Sequence, residues 1–196
     1  MMLPSSPPGL SAKDVEKLIT AAITEYDQPG KTGWVYGPVV SLSGMNAVDL
    51  LGVPTYANEV SIKINRASGN YSGDIGISIQ VFNSSGGLIN AGYRYYVSRL
   101  RGSILSGGAS SSFASNNTRC PVSISMAQVD FVSSRIDLSR LSPAEWDGAV
   151  ITHNPLEGIF LSGFQTPAVG EGITGVRLNI ALGSFDAGTA QLSWRT

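Results

Sequence analysis

The chain is short of charge, of histidine and of cysteine, and each shortage excludes something. Charged residues fill 14% of its 196 positions, against roughly 25% in an ordinary soluble domain. Lys and Glu favour helices and solvate their outer faces, so their scarcity argues against a helical protein. The 13 basic and 14 acidic side chains nearly cancel, leaving a net charge of −1. Phosphate backbones are held by clustered Lys and Arg, and the nearest approach to a cluster is the scattered trio Arg94, Arg99 and Arg101. Nucleic acid is therefore not expected as a partner. No apolar run reaches the ~18 residues of a membrane-spanning helix, so no membrane insertion is expected. The first ten residues, MMLPSSPPGL, have neither the basic start nor the apolar run of a secretory signal. A single cysteine, Cys120, allows no internal disulfide and no cysteine-based metal site. The expectation is a reducing compartment, or no redox chemistry at all.

Local catalytic motifs are missing too. His153 is the one histidine, there is no G-x-S-x-G elbow, and Cys120 sits between Arg119 and Pro121 with no base beside it. Among Asp130, Asp137, Glu145, Asp147, Glu157 and Glu171, no spacing singles out a glycosidase-like pair. Asp74 with Asn70 and Asp130 lacks the pattern of a calcium loop and reads as solvated turn residues. The sequence thus predicts no catalytic residue, no metal, no cofactor and no enzymatic activity.

What is present is a β protein. Hydrophobic residues make up 42% of the chain, enough for a core, while 27 Ser and 23 Gly supply about a quarter of it. Ser, Gly, Thr and Asn in turns, with Val and Ile between them, favour strands. Val60, Ile62 and Ile64 alternate with polar residues, as do Ile75, Ile77, Ile79 and Val81, and then Val122, Ile124 and Met126. Ile173–Leu182 and Ala187–Trp194 read as a closing pair joined through residues 183–186. Nine to eleven strands, each with one buried face, predict a jelly-roll-like antiparallel β-sandwich over residues 33–196. Leu105–Thr118, rich in Ser, Gly and Asn, reads as a long loop.

Residues 1–32 read differently. Three prolines in the first ten positions predict an extended arm. Ser11 followed by Asp14 approximates a capping box, and Val15, Leu18, Ile19, Ala22, Ile23 and Tyr26 form one apolar stripe at helical spacing. A lone helix of about four turns is marginal in water. Its stripe must pack on its own domain or on copies of itself; the proline-rich and glycine-rich segments on either side favour copies, which makes these six residues the candidate oligomerisation set.

Three segments then carry a resemblance. Ser43–Ile62 (SGMNAVDLLGVPTYANEVSI), Ile79–Tyr93 (IQVFNSSGGLINAGY), and Ile173–Leu178 with Phe185–Leu192 occur in this order. Together they resemble a β domain found at the C-terminal ends of tailed-bacteriophage tail fibres. The match spans about residues 34–195; Asn58 and Glu59 stand where that family has a basic pair, and Leu105–Asp147 matches nothing in it. The resemblance implies a virion structural protein, a homotrimeric fibre or tip component that attaches the particle to a host cell-surface glycan. Its N-terminal arm would join other virion proteins. The alternative is a capsid decoration or head-fibre protein clamped to the shell by that arm, so the expected location is the virion, at the tail or on the capsid surface. Receptor contact needs a flat aromatic platform with polar neighbours. Tyr71, Tyr95, Asn116, Asn117 and Trp146 are the candidates, with packing in the core or between subunits as the competing role for Trp146, Trp34, Trp194 and Tyr93.

Overall fold

The computed structural model describes residues 33–71, 76–101, 108–123, 131–154 and 158–196. The arm, the predicted helix and the oligomerisation set Val15, Leu18, Ile19, Ala22, Ile23 and Tyr26 lie outside the described residues. The chain divides into two compact units, Met1–Val35 and Tyr36–Thr196, and the description below concerns the second.

Twelve strands occur among the described residues, in two sheets. The four-stranded sheet has the order β2 (Ala47–Leu51), β11 (Ile173–Ile180), β4 (Ile77–Asn83), β7 (Cys120–Ser123). The eight-stranded sheet begins with β1 (Val35–Ser41), β12 (Phe185–Arg195), β3 (Glu59–Gly69) and β8 (Val132–Arg140). It continues through β9 (Trp146–Asn154), β10 (Gly158–Gln165), β5 (Tyr93–Arg101) and β6 (Gly108–Asn117). The registers defined from β2 to β12 are all antiparallel. The result is an all-β sandwich.

Its core is one cluster fed from both sheets. Val60, Ile62 and Ile64 of β3 with Ile136 and Leu138 of β8 share it with Leu50 of β2, Ile79 and Val81 of β4, and Val176 and Leu178 of β11. Each such side chain contributes about 1.5–3 kcal/mol on leaving water. Alternation selects the inward face of a strand because successive side chains point to opposite sides. The register of β3 slips on both sides: against β12 between Phe185 and Thr189, and against β8 between Ile64 and Ala67. Gly188 there takes φ +111°, and a Cβ on it would lie 2.7 Å from the Ala67 Cα, so the bulge needs glycine.

Four expectations are corrected. The strands among the described residues number twelve, above the nine to eleven read from the sequence. Leu105–Thr118 is not a loop along its length: β6 occupies Gly108–Asn117 and pairs with β5. Backbone hydrogen bonds hold that strand where composition gives no apolar alternation to read. Ile173–Leu182 and Ala187–Trp194 are not a pair, because β11 bonds to β2 and β4 while β12 bonds to β3 in the other sheet. The connection crosses between sheets, and alternation looks the same whether two strands pair or face each other across a core. Finally, β4 is buried on both faces: Ser78 and Gln80, expected outside, are covered. Gln80 Nε2 is satisfied there by the Ile89 and Thr118 carbonyls at 3.2 and 3.0 Å and by Asn90 Oδ1 at 2.9 Å.

Candidate functional site

Strand β5 carries Tyr93-Arg94-Tyr95-Tyr96, and pleating sorts the four. Tyr93 is fully buried; its hydroxyl accepts from the Val81 N–H at 2.8 Å and donates to the Ile89 carbonyl at 3.2 Å. Burial pushes this phenol well above its ordinary range. Tyr95 shares that inward face and packs half-buried against the core. Arg94 and Tyr96 point the other way, and Tyr96 is 51% exposed.

The neighbouring strands bring partners into line. Across β10, Arg94 stands opposite Gln165 and Tyr96 opposite Gly163. Across β9, Gln165 stands opposite Asp147 and Gly163 opposite Ala149. Directly opposed residues put their side chains on one face. Two rows therefore share the outer surface: Arg94–Gln165–Asp147, and Tyr96–Gly163–Ala149. The polar row runs on through Ser139 and Glu59 to Arg195, where Glu59 and Arg195 form an ion pair. On β6 the register slips, with Tyr93 facing Asn117 and Tyr95 facing Ala114, so Arg94 has no directly opposed residue on that side.

A groove of about 420 Å³ opens over these strands, lined by Arg94–Tyr96, Asp147, Gly148 and Gly163–Gln165. Its two glycines differ. The Phe164 ring lies across Gly148, where a Cβ would meet it at 2.1 Å; a Cβ on Gly163 would have nothing closer than 4.0 Å. Asp147 lines the groove, and its Oδ1 is covered by protein and makes no hydrogen bond. At strand spacing, Asp147 and Arg94 stand roughly 10 Å apart at the backbone with Gln165 between them.

The expected receptor residues do not come together. Trp146 is corrected outright: at 1% exposure it is a core residue and offers no platform. Tyr95 faces inward, so its neighbour Tyr96 is the exposed ring. Tyr71 is exposed but follows β3, which three strands, β8, β9 and β10, separate from β5. Asn117 is half-buried at the end of β6, and the side chain of Asn116 lies outside the described residues. Sequence reading reached the Tyr93–Tyr96 group but took Tyr95 from it, and it missed Gln165 and Gly163, whose register against β5 no local spacing shows. His153 is exposed on β9, one residue before its end. Cys120 is fully buried, and desolvation raises its thiol far above the range of a nucleophile. Among the described residues no group of three or more His, Cys, Asp or Glu is placed to hold a metal ion.

No family model and no curated protein matches the chain. Among solved structures it is similar to SCP-B, a member of the eqolisin family of peptidases, in a complex with the tripeptide Ala-Ile-His. Identity is 10% and the TM-score 0.21, over 63% of this chain and 64% of that one. The chain thus spans about 64% of that structure's length. A likeness of this grade carries no argument for peptidase activity. The expectation that the chain is not an enzyme is corrected on its own ground, because it rested on missing local motifs alone. Catalytic groups are recognised by geometry in the fold and not by sequence position, so their absence from a motif scan excludes nothing.

Proposed function

We propose that this chain is a structural protein of a tailed-bacteriophage virion, a fibre or tip component that attaches the particle to its host. The observation that carries the reading is the meeting of the three resembling segments. They fall on β2–β3, β4 and β11–β12, distant in sequence, and these strands pair: β11 with β2 and β4, and β12 with β3. The unmatched stretch Leu105–Asp147 falls largely on β6 to β8, including the strand at the far edge of the eight-stranded sheet.

The sandwich itself is a jelly roll in this reading. The order β1-β12-β3-β8 against β2-β11-β4-β7 supports it, because all but one step between successive strands of that set crosses from sheet to sheet. The pairs β5–β6 and β9–β10 are additions along one side. The stripe from Val15 to Tyr26 joins three copies, and residues 1–10 seat the assembly on another virion protein. Immunogold electron microscopy of the parent virion, with antibody against residues 34–196, tests the assignment. Gold at the tail end is the expected result. Gold spread over the head transfers the protein to the capsid decoration class, and an unlabelled virion overturns both.

A further inference from the structure

We infer that the groove over β5, β9 and β10 binds a neutral hexopyranose unit. The attachment reading supplies only the source of the sugar, a cell-surface glycan; the binding itself stands on the groove.

Tyr96 is the starting point. A tyrosine ring half in water on a sheet face is not spent on the core. The C–H face of a pyranose stacks on such a ring, as apolar and aromatic surfaces do. The position beside it in register is Gly163, so no side chain competes for the space, and Ala149 follows with only a methyl. Two residues along each strand, roughly 7 Å away, stands the row Arg94–Gln165–Asp147. Arg94 donates only, Asp147 accepts only, and Gln165 does both. Sugar hydroxyls both donate and accept, so they fit all three at once. Asp147 lines the groove as the acceptor of that row. One cation and one anion face the groove, so a neutral ring is favoured over an acidic one.

The full chain is titrated by saturation-transfer NMR with methyl α-glucopyranoside, methyl α-mannopyranoside and methyl β-galactopyranoside, and with methyl β-glucuronide as the acidic counterpart. At least one neutral glycoside is expected to bind with a millimolar Kd. Tyr96→Ala and Gly163→Val should each weaken it about tenfold, with the melting temperature unchanged, and Tyr96→Phe should retain it. Gly163→Val blocks the groove where the backbone has room for a side chain, so loss of binding there is not loss of fold. The inference is overturned if no neutral glycoside binds, if the glucuronide binds more tightly, or if both blocking variants bind like the parent. A bound glycoside with an unlabelled tail leaves this inference standing and removes the attachment reading; a labelled tail with no glycoside bound does the reverse.

Discussion

The strands that alternate between sheets and the strands added beside them are packed to different standards. In the first set, β4 is buried on both faces, and of the two polar side chains it brings inside, Gln80 is met by three acceptors. In β9 and β10 only one face is covered. Phe160, Ser162 and Phe164 of β10 are buried, while Ile151 of β9 and Ile159 and Leu161 of β10 stay exposed on the other side. Buried polar atoms without a partner gather here as well. Trp146 Nε1, Asp147 Oδ1, Ser162 Oγ and Thr166 Oγ1 lie on or just after β9 and β10, against Ser78 Oγ on β4. Unpaired buried polar atoms are rare in folded proteins and ask for a reason. The lesson is that the first set holds the fold and the second leaves groups available.

The largest expected effect tests that division directly. Ile136→Ala, on β8 in the shared core, should cost about 3–4 kcal/mol of unfolding free energy, as buried Ile to Ala does. Ile151→Ala, exposed on β9, should change stability by less than about 0.5 kcal/mol. Urea unfolding of both variants measures the gap. Comparable losses would mean that the outer face of β9 is covered and the comparison fails.

The junction between the two sets carries the next effect. Cys120 on β7 and Tyr93 on β5 are both fully buried, and both stay neutral in the fold because burial disfavours their anions. In the unfolded chain the thiol ionises from its ordinary value of 9.0 and the phenol from 10.0. The unfolded state therefore releases protons first, and stability held below pH 9 drains away above it. By pH 10.5 the loss should reach roughly 2–3 kcal/mol, at about 1.4 kcal/mol per unit per group. Cys120→Ala should remove most of that slope in urea melts between pH 8 and 10.5. An unchanged slope would show that the thiol reaches water in the native state.

Within the added strands the two glycines should separate cleanly. Gly148→Ala drives a methyl into the Phe164 ring and should cost about 2 kcal/mol, the scale of an overpacked core. Gly163→Ala has open space and should be neutral to within about 0.5 kcal/mol. Thermal melts of the pair check this. A costly Gly163→Ala would mean that the groove is filled.

How much of this was legible in the sequence depends on what each residue's neighbours are. The alternation in β3 and β11 was readable because Val60, Ile62, Ile64, Val176 and Leu178 each meet the core from one face. Period two sorts residues between faces but does not say which strands lie beside one another, so the β11–β12 connection was misread. β6 escaped because Ser110, Ser111 and Ser112 carry no hydrophobic signal, and its evidence is a ladder of backbone bonds to β5. Trp146 illustrates the same limit for function: its size fits a platform or a core, and only its position on β9 decides. Tyr96 and Gln165 belong to one site through the register of β5 with β10, a long-range fact that no local spacing encodes.

The smallest effect sharpens the contrast between two aspartates. Asp49 on β2 holds Arg177 of β11 through both oxygens, at 2.5 and 2.7 Å, with each side chain about a third exposed. That pairing holds the guanidinium firmly protonated, yet exposed pairs are screened. Asp49→Asn should cost about 0.5 kcal/mol and lose that cost in 1 M salt. Asp147→Asn is the same chemical change at an oxygen with no donor. Removing a charge that no donor in the fold meets at its buried oxygen should leave stability level or slightly higher. Opposite signs from one substitution, read in parallel urea melts, would mean that Asp49 serves the fold and Asp147 is kept for something outside it. A loss at Asp147 equal to that at Asp49 would mean that its buried oxygen already has a partner in solution, and the contrast between the two aspartates would fail.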